Sequence, residues 1–293
     1  MRVTTTQMYD NLLTGVNKQL AIQAKGNEQI SSGMRFQRPA DAGLDYKMSL
    51  DLRHAQVGVK GSLDAVKTTE SRLGASQTML NSMKNIMVRA QSLAVQQSSG
   101  GLGAAERSAA AVEVGHLLTQ FANDANQKWQ GQSLFAGTAV DKAAFTPDAL
   151  GNYTYTGSNQ DRIVAISDSL KVTSNIRGDD PSFAAAFAAL QDFKSALQSN
   201  DQVALQTSLS SLNSAGNGMI DLTSEVGGRL SALSVTRTSF EDMQFTLNKR
   251  INEHEAVDVP AVVAQLQQSS IALQASYSQI SQVKSLSLIN FLR

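Results

Sequence analysis

The chain has 293 residues with 25 basic and 25 acidic side chains, so its formal net charge is zero. That balance excludes a protein that holds nucleic acid or anionic lipid by bulk charge. The absence of cysteine excludes disulfides, zinc–thiolate sites, iron–sulfur clusters and a thiol nucleophile.

Three histidines leave little material for an imidazole metal site, and no apolar run approaches the ~20 residues that span a bilayer. The N-terminal stretch from Met1 to Gln7 lacks the apolar core of a cleaved secretion signal. The expectation is a chain that stays in the cytoplasm or leaves by a route that reads no such signal. Ser and Gln make up about a fifth of the residues, aromatics only 5%, and there are four prolines. Long proline-free stretches of Ala, Leu, Gln and Ser predict long helices rather than an open sheet.

From about Thr5 to Met34, the residues Leu13, Val16, Leu20, Gln23, Asn27, Ile30 and Met34 recur in steps of three and four, a heptad seam with two polar places. Arg35 to Gly43 interrupts it, because Pro39 disfavours helix at Arg38. A second helix is predicted from about Leu44 to Gln97; at ~1.5 Å per residue it would be ~80 Å long, the length of a rod. Gly58, Gly61 and Gly74 weaken it. Ser98 to Gly103 reads as a loop, and a third helix runs to about Gln127 on a stripe of Ala110, Val114, Leu117, Phe121 and Ala125.

The texture changes at Gly131. As far as Asp180, short β-type runs (Tyr153–Thr156, Ile163–Ile166 and Leu170–Thr173) alternate with turn residues, which predicts a small β-rich insert leaning on the helices. Helix returns from Ser182, breaks at Ser199-Asn200-Asp201, and meets a further expected joint at Gly227-Gly228. The cleanest periodicity follows, with Leu230, Leu233, Arg237, Phe240, Gln244, Leu247, Ile251 and His254 in strict heptad steps. Asp258-Val259-Pro260 resets the chain, Pro260 suiting a first helical turn. The last helix carries Val263, Leu266, Ser270, Leu273, Tyr277, Ile280 and Lys284.

Both ends are thus single amphipathic helices with polar residues in the seam, each set off by a proline-marked hinge. A lone helix of ~30 residues cannot bury its own stripe. The two must pack on each other, on the rod or on other copies, and they are expected to become fully ordered on assembly. The fold class is therefore mainly α: paired terminal helices (1–43 with 256–293), a helical-bundle rod (44–130 with 181–255) and one small β-rich inserted domain (131–180).

Catalytic constellations are hard to find. Glu253-His254-Glu255 is no zinc-protease signature, and His254 lies on the heptad face, where a packed histidine is expected. Gly100-Gly101-Leu102-Gly103 lacks the Gly-Lys-Ser/Thr of a phosphate loop. Asp179-Asp180 reads as a turn capping the next helix. Met79, Met83 and Met87 read as core. Arg35, Arg38 and Lys47 are too few for nucleic acid. The reading is an interaction or structural protein with no catalytic residues, metal or cofactor.

The stretch Ile30-Ser31-Ser32-Gly33-Met34-Arg35-Phe36-Gln37-Arg38-Pro39-Ala40-Asp41 resembles the N-terminal signature of the bacterial flagellin family. Its Arg38-Pro39-x-Asp41 part is similar to the branch of that family that joins hook to filament; Ala42 stands where that branch often has a second acid. Gly131-Gln132-Ser133-Leu134-Phe135-Ala136-Gly137-Thr138 is similar to the segment that opens the branch's inserted domain. Leu273-Gln274-Ala275-Ser276-Tyr277 and Leu286-Ser287-Leu288 are similar to its C-terminal patterns.

The resemblance implies an axial protein of the flagellum, exported through the flagellar type III apparatus without a cleaved signal and located outside the cell. Copies in a ring would add onto hook-associated protein 1 and present a surface for flagellin, and an export chaperone would hold the C-terminal helix beforehand. Nucleic acid and membrane insertion play no part. Leu13, Val16, Leu20, Ile30, Leu266, Leu273, Tyr277 and Ile280 would form the assembly seams, and Arg35, Arg38, Pro39 and Asp41 the hinge. Filament flagellin itself and a non-flagellar coiled-coil adaptor are the alternatives.

Overall fold

The computed structural model describes residues 5–98, 103–149 and 151–291. Most of the loop expected at Ser98 to Gly103 lies outside them, as do the side chains from Lys284 onward, including the Leu286-Ser287-Leu288 motif. Six helices are present among the described residues: α1 (Thr5–Ser32), α2 (Pro39–Gln97), α3 (Ala104–Ala125), α4 (Pro181–Ser199), α5 (Gln202–Glu255) and α6 (Val259–Phe291). The chain is mainly α, with its short strands confined to one insert. It divides into two compact units: the described residues up to 58 together with those from 243, and residues 59–242.

Local chemistry explains most helix ends. Pro39 opens α2, and the Asp41 carboxylate accepts from the Arg38 N–H at 3.1 Å. The first turn then breaks at Ala42 and Gly43, the latter at φ +26°, and regular helix starts at Leu44. Asp180 caps α4, accepting from Ser182 N at 2.9 Å, with Pro181 in the first turn. Asn200 ends α4 in the left-handed conformation at φ 54°, and Asp201 caps α5 through Val203 N and Ala204 N. Asp179 pairs with Arg177 at 3.0 Å.

The joint expected at Gly227-Gly228 does not exist: α5 runs unbroken from Gln202 to Glu255. Two glycines cost a helix only about 2 kcal/mol against alanine. Val226 and Leu222, on the same stretch, are buried and hold it by packing. The heptad from Leu230 to His254 keeps every member buried or half-buried.

In unit 59–242, helices α2 to α5 share one core, in which Leu73, Leu80, Met83, Met87, Phe121, Leu190 and Phe193 are fully buried. Met79 packs on that core half-buried, so the methionine stripe is packing material. The insert is three antiparallel pairs: β1 (Lys128–Trp129) with β2 (Gln132–Ser133), β3 (Phe145–Pro147) with β4 (Tyr153–Tyr155), and β5 (Ile163–Ala165) with β6 (Lys171–Thr173). None exceeds three residues per strand, too little to stand alone.

Aromatic packing supplies what the ladders lack. Phe145 stacks on Phe183 at 5.5 Å and meets Phe187 at 4.9 Å, Phe135 meets Phe183 at 5.3 Å, and Tyr153 stacks on Phe187 at 5.0 Å. The Asn126 side chain closes α3 onto β3, exchanging 2.8 Å bonds with both Phe145 N and Phe145 O. Gly137 lies at φ +67°, where a Cβ would stand 2.0 Å from Ser158 O. Only glycine lets these two backbones meet at that point.

Candidate assembly interface

The site is the pair of terminal helices and the turns that end them. α1 packs on α6. On α1 the sheltered line is Leu12, Val16, Gln19, Gln23 and Gly26; on α6 it is Val262, Leu266, Ser269, Leu273, Ser276, Ile280 and Val283. The crossing is close because two members are small. A Cβ on Gly26 would come within 2.8 Å of Leu266 Cδ2 and 3.3 Å of Val262 Cγ1, and Ser269 Oγ donates across the pair to Gln19 O at 3.1 Å.

Of the seam residues expected from sequence, Val16, Leu266, Leu273 and Ile280 lie on this line, Val16 and Leu273 being buried. Leu13, Leu20, Ile30 and Tyr277 do not. They sit one helical position to the side and remain solvent-exposed, Leu20 by 45% and Tyr277 by 54%. Met8 and Val263 are exposed as well. The pairing therefore leaves large apolar side chains of both helices exposed among the described residues.

The hinge residues are brought together at the α1–α2 turn. Arg35 binds Asp45 at 2.8 Å and lies over the Phe36 ring at 5.5 Å, and its backbone N–H donates to Glu255 O at 2.7 Å. Arg38 reaches back to Glu28 at 3.1 Å. Pro39 and Asp41 form the short first turn of α2 already described.

What sequence reasoning missed is the partner of this turn. Met34 pairs with Ala256 as an isolated antiparallel bridge, so the α1–α2 and α5–α6 turns are tied main chain to main chain. The buried Glu255 carboxylate accepts from Ser49 Oγ and from Arg53 Nη2 and Nε, the last at 2.8 Å. The hydrogen bonds from Arg53, more than its charge, hold the Glu255 carboxyl below the usual carboxylate range; the Ser49 bond and the nearby His254 add to this, and burial opposes it. Phe36 is buried here, edge-on to His254 at 5.6 Å and to Tyr46 at 6.4 Å, while His254 Nε2 lies 2.9 Å from Asp45 O. The available signal was the position of Glu255, at the end of the strictest heptad and just before a proline turn, where a buried acid requires a cation.

The first and last helices of this mainly α chain thus pair, are tied at their turns and still expose apolar residues. The family model described as the bacterial flagellin N-terminal helical region matches residues 3–140. The chain is 23% identical to flagellar hook-associated protein 3 of Escherichia coli strain K12, the alignment covering 98% of each chain. It is equally 23% identical to hook-associated protein 3 of Salmonella typhimurium, over 100% of both. The crystal structure of Bacillus cereus FlgL superposes with a TM-score of 0.62 at 23% identity, covering 69% of this chain and 99% of that one, a likeness of fold. The chain is thus similar to the bacterial flagellin N-terminal helical region over 3–140 and to flagellar hook-associated protein 3 along its length.

Proposed function

We propose that this chain is a structural subunit of the bacterial flagellum that forms the hook–filament junction, adapting a ring of hook-associated protein 1 to the flagellin filament. The observation that carries the reading is the end-to-end likeness to two hook-associated protein 3 chains, covering terminal helices and insert alike. The exposed apolar flank of α1 and α6 supports it physically, since Leu13, Leu20, Ile30 and Tyr277 stand uncovered among the described residues and offer a surface to a neighbour.

In this reading Val16, Leu266, Leu273 and Ile280 hold the pair together. Copies of the chain in a ring cover the exposed flank and complete the ordering of both helices. The export chaperone covers the α6 seam before assembly. Residues 1–43 with 256–293 form the inner tube, 44–130 with 181–255 the rod, and 131–180 the outer surface. Arg35, Arg38, Pro39 and Asp41 set the angle between tube and rod. The protein travels unfolded through the type III apparatus to the outside of the cell, and it acts by packing, with neither catalysis nor cofactor.

Immunogold labelling of isolated flagella tests the reading. Label confined to the boundary between hook and filament is the expected result. Label along the whole filament would make the chain a flagellin, and label absent from flagella would leave the adaptor.

A further inference from the structure

Unit 59–242 holds a pair of cations with no anion. Arg72 is 2% exposed. It donates Nη2 to Ser133 O at 2.7 Å and lies over the Trp129 ring at 5.9 Å. Its Nη1 reaches Gln132 Oε1 at 3.3 Å, and Arg162 Nη1 reaches the same oxygen at 2.6 Å. Two guanidiniums thus converge on one neutral amide oxygen.

Arg89, Arg177, Arg229 and Arg237 of the unit each hold a carboxylate, and the buried Arg107 is shared between two separate amide oxygens, of Asn200 and Gln202, with no second guanidinium on either. Neither Arg72 nor Arg162 forms an ion pair among the described residues. Donors are also left over, because Arg72 Nε and the buried Ser133 hydroxyl have no partner there. Burial and the charge of Arg162 lower Arg72 to about 10, so the cluster is electrostatically unfavourable as it stands. Gln132 and Arg162 are half-buried, which places this corner of the cluster within reach of solvent.

A carboxamide offers one neutral acceptor, whereas an oxyanion offers two or more charged ones matched to the guanidinium fork. We propose that Arg72, Arg162 and Gln132 form a binding site for an oxyanion of the phosphate or carboxylate class, which displaces the Gln132 carboxamide from between the two guanidiniums. The charge of both arginines is then compensated.

Trp129 is the only tryptophan in the chain and touches Arg72, so its emission reports on the site directly. The experiment titrates the full chain with potassium phosphate, and separately with potassium acetate, against potassium chloride at matched ionic strength. The expected result is a saturable change in emission with phosphate beyond that with chloride. It should be lost in Gln132→Glu, whose own carboxylate occupies the seat, and weakened at least about tenfold in Arg162→Ala. Saturation by acetate too would admit carboxylates, including one presented by another protein; saturation by phosphate alone would restrict the site to tetrahedral oxyanions. Emission that follows chloride and phosphate alike, or a phosphate response unchanged in both variants, overturns the proposal. The wild-type titration decides the matter by itself if either variant fails to fold.

Discussion

Glu255 shows how much a single side chain can organise. It ends α5, and its carboxylate and carbonyl together tie Ser49, Arg53 and Arg35 to the turn before α6. Replacing it with Gln keeps the shape and removes the charge that Arg53 clasps. Arg53 is half-exposed, so the expected loss is about 1–2 kcal/mol, read from chemical denaturation of the terminal unit. The folded-state value of this carboxyl is depressed, so its contribution is present above about pH 4.3, the unfolded glutamate value, and fades as pH falls toward the folded one. Acid titration of the Glu255→Gln protein should lack that component of the loss. Gly137 is the corresponding position in the insert. With a positive φ and a carbonyl 2.0 Å from where a Cβ would stand, Gly137→Ala is expected to cost at least about 2 kcal/mol, measured as a lower melting temperature of unit 59–242. The glycine of the Leu134-Phe135-Ala136-Gly137-Thr138 motif was visible in the sequence. The carbonyl of Ser158 that requires it was not, because it lies 21 positions further along the chain.

Helices were the legible elements, since a period of three and four survives in sequence whatever packs against it. The Leu230 to His254 heptad was read correctly in every member. In the terminal helices Leu13 and Leu20 lie one position to the side of the line that faces α6, and the reason is physical. Periodicity favours the largest apolar residues, Leu13 and Leu20, but the line facing α6 carries Gln19 and Gly26, because a small residue allows the close approach of Val262 and Leu266. Two adjoining heptad lines therefore exist, an inner one and an exposed one, and they separate experimentally. Leu273→Asp places a charge on the inner line and should lose at least the about 2–5 kcal/mol of a leucine truncation. It should unpair α1 from α6 and abolish assembly while residues 59–242 keep their melting transition. Leu20→Asp alters only the exposed line, so the monomer should melt as wild type and still fail to assemble. Assembly by Leu20→Asp would show that the exposed line has no partner. The strands were only half legible. Tyr153–Tyr155, Ile163–Ala165 and Lys171–Thr173 carry β-type residues, but the two-residue pair at Trp129 and Gln132 is set by the left-handed turn at Gln130 and Gly131, and β3 by the Asn126 clamp. Neither has a periodic signature.

For the whole molecule, the chain's two ends are far apart in sequence and paired in space, a feature that both terminal heptads anticipated without fixing the partner. The insert was read as leaning on the helices, and the Phe135, Phe145, Phe183 and Phe187 cluster is how it does so. The proposed junction role rests on the full-length likeness to hook-associated protein 3, together with terminal helices that leave apolar side chains exposed. Deletion of the gene in the organism that encodes it tests this claim most directly. Electron microscopy would follow the hooks, and the growth medium would be assayed for flagellin. The account predicts intact hooks that carry no filaments, with monomeric flagellin shed into the medium. Normal filaments on the deletion strain would contradict it.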